Sequence, residues 1–160
     1  MTPQTRRRFL FCATAAPLML ALPACAARRE DRGPEAGPLY PNETPELRNL
    51  IVEYASRNQV PVDLVQRVIV RESTHRPWAR NGPYYGLMQI LPATARSMGF
   101  RGEPKDLLDA ETNLKYAVRY LRGAWLVSRG NKDRAVKWYA RGYYYEAKKM
   151  GLLEETGLRS

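Results

Sequence analysis

Cysteine is nearly missing from this 160-residue chain: Cys12 and Cys25 are the only two, and both fall in the first 25 residues. A domain downstream of them can form no internal disulfide and has no thiolate for a metal or a nucleophilic step, so it must be stable by its core alone. Histidine is scarcer still, with His75 the single one. A zinc site therefore lacks its usual ligands, and a lone histidine in a loop reads as solvated. Ser73 lies near His75, but without the glycines of a nucleophile elbow the pair gives little support to a serine hydrolase. No apolar run suits a transmembrane helix: the one at Phe11–Leu22 is short, alanine-rich and broken by Pro17. Strand signals are nearly absent, and no acidic residue stands between Glu72 and Glu103.

What is present begins with an export signal. "TRRRFL" (Thr5 to Leu10) followed by the short apolar run gives residues 1–25 a basic start and a hydrophobic stretch. Thr-Arg-Arg-x-Phe-Leu resembles a twin-arginine signal; a plain secretory signal is the alternative. "LPAC" (Leu22 to Cys25) resembles a lipobox, which implies acylation of Cys25 and membrane anchoring, with Pro23 unusual there. The rival is a small-residue cleavage site at Ala24-Cys25-Ala26. Both readings send the protein out of the cytoplasm.

The formal charge is +10, and loss of Arg6, Arg7 and Arg8 with the signal leaves +7. Such a balance suits an anionic wall polymer or membrane face, or is a solvated surface. Nucleic acid is not indicated, since there is no zinc-finger spacing and no basic run interleaved with aromatics.

Residues 26–45 are rich in proline, glycine and charge and read as a flexible linker. The pattern then turns helical. Thr44-Pro45 offers an N-cap and a first-turn proline before Leu47, Leu50, Ile51 and Tyr54. Pro61 opens a second helix ending near Ser73, and "RPWARNGPYYG" follows as a loop. Pro92 and Gly99 bracket a short helix, and a long one begins around Asp106–Asp109 with Leu114, Ala117, Val118, Leu121 and Trp125 inward. Gly130-Asn131 separates it from a last helix holding Ala135, Val136, Trp138, Tyr139 and Tyr143. The expected fold class is all-α, a compact multi-helix domain over residues 46–153 with a tail at 154–160.

Within this pattern Glu72 is out of place. It shares a stripe with Val65, Val68 and Ile69 at i, i+3, i+4 and i+7. The carbonyls of a helix end disfavour a carboxylate, and apolar neighbours desolvate it, so both effects raise its pKa. A carboxylic acid that keeps its proton can serve as a general acid. Taken alone, a glutamate at a helix end is more ordinarily frayed outward and solvated.

The residues that follow supply context. Glu72-Ser73, Pro77-x-Ala79, Gly86-Leu87-Met88-Gln89-Ile90 and Pro92-x-Thr94-Ala95 resemble, in order, the catalytic domain of the soluble lytic transglycosylases. Asp109-x-x-x-Asn113-Leu114, Tyr120-Leu121, and Tyr139 with Gly142 continue the resemblance. Ala140 and Arg141 stand where the family has Asn-Ala, Pro83-Tyr84-Tyr85 where Gly-Ala is common, and Ala117 at a glycine position.

The resemblance implies a goose-lysozyme-like helical fold that cleaves the MurNAc–GlcNAc β-1,4 bond of peptidoglycan without water or cofactor and forms 1,6-anhydroMurNAc. Glu72 would be acid and then base, so a single carboxylate suffices. Ser73, Met88, Gln89, Tyr139, Tyr85, Asn113 and Tyr143 are the candidate substrate-binding residues. Core packing competes for Met88 and a core tyrosine is the alternative for Tyr139, Asn113 reads equally as a structural bridge, and the aromatic clusters with Trp78 read as packing or sugar platforms. The expected partner is the glycan strand, the expected state a periplasmic monomer. The rivals are a hydrolytic lysozyme of the same fold and a non-catalytic glycan-binding scaffold.

Overall fold

The computed structural model describes residues 37–158; the expected signal, Cys12, Cys25 and the first part of the expected linker lie outside them. Helix α1 (Pro45–Arg57) begins as the sequence suggests: Thr44 Oγ1 accepts from the Leu47 N–H, and Pro45 occupies the first turn. Helix α2 (Val62–Glu72) buries Leu64, Val65, Val68 and Ile69. A two-stranded hairpin, β1 (Arg80–Asn81) and β2 (Tyr84–Tyr85), follows, with Arg80 opposite Tyr85. Helix α3 (Pro92–Ser97) ends ahead of Gly99, whose φ is +101°.

The long helix begins at the end of the expected Asp106–Asp109 stretch. Pro104–Leu108 form a 3-10 helix, and Asp109 caps α4 (Ala110–Val127) by accepting from the Thr112 N–H at 2.8 Å. The α4 helix is the axis of the core: Leu114, Ala117, Val118, Leu121 and Ala124 have no exposed surface, and α1, α3, α5 and α6 all pack on it. Helix α5 (Lys132–Arg141), capped by Asn131, stops at Gly142, where φ is +83°. Tyr143 therefore does not continue that helix but precedes a separate one, α6 (Tyr144–Met150). Its ring fills the space beside Gly123, where an added Cβ would lie 2.2 Å from the tyrosine oxygen. The observed all-α class matches the expectation, with the hairpin as its minor exception.

Two expectations at the ends need correction. From residue 37 onward the linker is packed: Arg48 donates to the Gly37 and Pro38 carbonyls, and Tyr40 stacks on His75 with ring centres 5.0 Å apart. His75 is not solvated but fully buried. Its Nε2 meets Gln66 Oε1 at 2.6 Å, and the Gln66 amide donates to Glu43 Oε1 at 2.7 Å, so the imidazole carries its proton on Nε2. The expected tail also folds back in part, burying Thr156.

Candidate active site

The site is built where α2 ends. Ser73 leaves the helix, and Thr74 and His75 both take left-handed backbone conformations (φ +52° and +58°). Such a turn is strained for non-glycine residues and is held by its neighbours. Ser73 is one of them: its Oγ accepts from the Arg76 N–H at 3.3 Å, and its carbonyl accepts from Arg76 Nε at 2.8 Å. Buried, Ser73 fixes the turn rather than facing open space, which corrects its expected place beside the substrate.

Glu72 is left at the lip. Its side chain is 23% exposed, and the nearest charge is Arg71, whose Nε lies 3.6 Å away. Burial pushes its carboxyl above the ordinary 4.5, and the Arg71 charge opposes that only in part. It lines a cleft of about 310 Å³ with Arg71, Asn81, Tyr84, Gln89, Tyr139 and Ala140, none of them acidic. A second cleft of about 310 Å³ shares Tyr84, Gln89, Tyr139 and Ala140, so the two form one groove.

The floor of that groove is a backbone loop stapled from behind. Asn113 Nδ2 donates to the carbonyls of Tyr85 and Leu107, both at 2.8 Å, and its Oδ1 accepts from the Met88 N–H at 3.0 Å. Tyr139 Oη donates to the Met88 carbonyl at 2.8 Å. Gly86 makes this possible, because a Cβ there would lie 2.2 Å from the Leu107 oxygen and 2.3 Å from Asn113 Nδ2. Gln89, itself at φ +47°, donates through Nε2 to the Ala79 and Gly86 carbonyls and so ties the loop to the hairpin.

These facts sort the expected binding residues. Gln89 and Tyr139 do line the groove beside Glu72. Burial, and secondarily the Glu72 charge, hold the Tyr139 phenol well above its ordinary pKa, so it keeps its proton and remains a donor. Its hydrogen bond goes to Met88 rather than to Glu72. Met88 and Asn113 have no exposed surface, and Tyr143 is buried with its hydroxyl on the Tyr120 carbonyl. All three shape the groove from inside the core instead of touching what enters it. Tyr85 lines neither cleft; Arg80 covers its ring at 4.7 Å, and the adjacent Tyr84 faces the groove. Period-2 alternation across the hairpin separates the two tyrosines. Trp78, 67% exposed, borders a different hollow with Leu47 and Leu50.

Asn81, Tyr120, Arg71 and Arg141 line the groove without having been singled out as binding residues. The Asn81-Gly82 pair signalled only a turn. Tyr120 sat inside a long helical pattern, where nothing local says which face reaches a cleft.

Comparison with known families matches the chain to the transglycosylase SLT domain over residues 49–152. No curated protein and no solved structure matches.

Proposed function

The chain belongs to the transglycosylase SLT domain family, and from that premise we propose that it cleaves the MurNAc–GlcNAc β-1,4 bond with Glu72 as acid and then base. The family's activity is lytic transglycosylation of peptidoglycan, which is exercised outside the cytoplasm. The observation that carries the finer reading is a half-shielded carboxyl with a raised pKa, alone among the groove residues in being acidic.

The steps follow from that isolation. Protonated Glu72 gives its proton to the glycosidic oxygen as the bond to C1 of MurNAc breaks. The C6 hydroxyl of the same sugar then attacks C1, and the Glu72 carboxylate takes the hydroxyl proton. Glu72 ends as it began, no water is consumed, and the product carries a 1,6-anhydro ring. A second carboxylate, required by the usual glycosidase pair, has no task here. Tyr139 and Asn113 hold the Met88 loop in place while this occurs.

Residues 1–25 fit an export signal, and we infer that Cys25 is the acylated anchor; release of a Cys25→Ala variant from the membrane fraction tests this. The central test is the mass of fragments from purified wall digested by the full chain. Anhydro ends, one water lighter than reducing ends, are expected. Reducing ends alone would mean water attacks C1, and binding without any solubilisation would make the protein a scaffold.

A further inference from the structure

The groove beside Glu72 holds a charge that the reaction does not use. Arg141 is the last residue of α5 and lines the cleft adjoining that of Glu72, with Thr94, Tyr120 and Gly142. Its guanidinium carbon lies 3.8 Å from the centre of the Trp138 ring, a cation–π stack that orients an exposed side chain. Its side chain forms no hydrogen bond or ion pair with the other described residues. No acid lines its cleft, and the one carboxylate of the groove, Glu72, already has Arg71 at 3.6 Å. A pre-positioned guanidinium with its donors unspent, in a concave site of one sign, favours a carboxylate there.

The sugar rings of peptidoglycan are neutral, and its negative groups are the carboxylates of the peptides borne on MurNAc. We propose that Arg141 is a substrate-binding residue that takes a stem-peptide carboxylate, so that the second cleft is a peptide subsite. This rests on the reading of the groove as the glycan site. Ala140 lines both clefts, and Arg141, which lines the second alone, supplies the recognition.

The test uses the full chain with Glu72→Gln, which keeps the groove and stops turnover. Its affinity is measured for two synthetic glycan oligomers that differ only in whether the stem carboxylates are free or amidated. The free form should bind about tenfold more tightly, the worth of one charge-assisted pair in a partly wet cleft. Adding Arg141→Ala should erase the difference, and Arg141→Lys should restore part of it. Equal affinities for the two oligomers, or a preference that survives Arg141→Ala, would overturn the assignment. Turnover by the wild-type chain is scored separately: a carboxylate preference without turnover sinks the lyase reading and leaves Arg141 in place, whereas turnover without preference does the reverse.

Discussion

Glu43 stands just ahead of α1 and Glu72 closes α2, and both carboxyls are withdrawn from water. Around Glu43 the donors converge: Arg48 gives two hydrogen bonds, at 2.7 and 2.6 Å, and Gln66 and the Tyr40 N–H one each. Burial works to raise its pKa, but these donors outweigh it and pull the value down to about 2. Around Glu72 burial meets only the partly exposed Arg71, and the pKa goes up. The two sites show that burial sets the cost of a carboxylate's charge, and that the supply of donors decides which form it takes. The first arrangement locks the N-terminal segment onto α2; the second leaves a proton available for chemistry.

The largest effect that tests this contrast is on activity. Glu72→Gln should lower turnover of wall by on the order of 10²–10⁴-fold while leaving the protein at least as stable as wild type at neutral pH. The sign follows from linkage: a carboxyl pKa raised in the folded state costs stability that builds as the pH rises from the ordinary 4.5 toward the folded value and stays in full above it, and glutamine removes the cost. Undiminished digestion of wall by the Glu72→Gln variant would remove Glu72 from the chemistry.

Glu43→Ala should show the reverse pattern. It takes the acceptor from Arg48 and Gln66 and should cost about 3 kcal/mol in urea unfolding, with turnover per folded molecule little changed. Loss of turnover without loss of stability would mean that the Glu43 network serves the reaction.

Acid unfolding separates the two sites further. Glu43, with a lowered folded pKa, contributes stability that is present above its ordinary 4.5 and is lost as the pH falls toward 2. His75 is also lowered, by burial first, and is neutral when folded. Its contribution is full above 6.5 and declines as the pH drops below that, so acid weakening should start with His75 and finish with Glu43. The Glu43→Ala deficit should accordingly shrink toward pH 2; a deficit independent of pH would separate it from ionisation.

The smallest effect concerns Arg71. Removing its charge with Arg71→Ala raises the Glu72 pKa further, so the basic limb of the kcat–pH profile should move to higher pH. The move should be small because Arg71 is more than half exposed, and an unmoved limb would show that its charge does not reach Glu72.

Much of the fold was legible because helices announce themselves locally. The cap at Thr44, the stripe of Val65, Val68 and Ile69, and the stop at Gly99 each depend on residues a few positions apart. The candidate site was legible only in part. Glu72 and Gln89 were found beside the groove, yet Asn113, Met88 and Tyr143 were expected to touch substrate and instead are buried. An ordered motif says that residues belong to one site, and it does not distinguish a side chain that faces the cleft from one that braces it. His75 shows the same limit from the other side: no nearby residue signals that Tyr40 and Gln66 will enclose it.

The sequence by itself determined where α1 begins and where α2 ends, that the domain is all-α, and that Glu72 sits at a helix end on the apolar stripe. Hydrophobic period and capping chemistry act over one or two turns, so the chain carries them without reference to its distant parts. The tertiary structure decided how deep Glu72 lies, which tyrosine of the hairpin faces the groove, and that Arg141 stands beside it. Those properties rest on pairings such as Asn113 with Tyr85 and Tyr139 with Met88, 28 and 51 residues apart. Only packing brings such groups within hydrogen-bonding distance, and that distance is what turns a buried amide or phenol into a brace for the site.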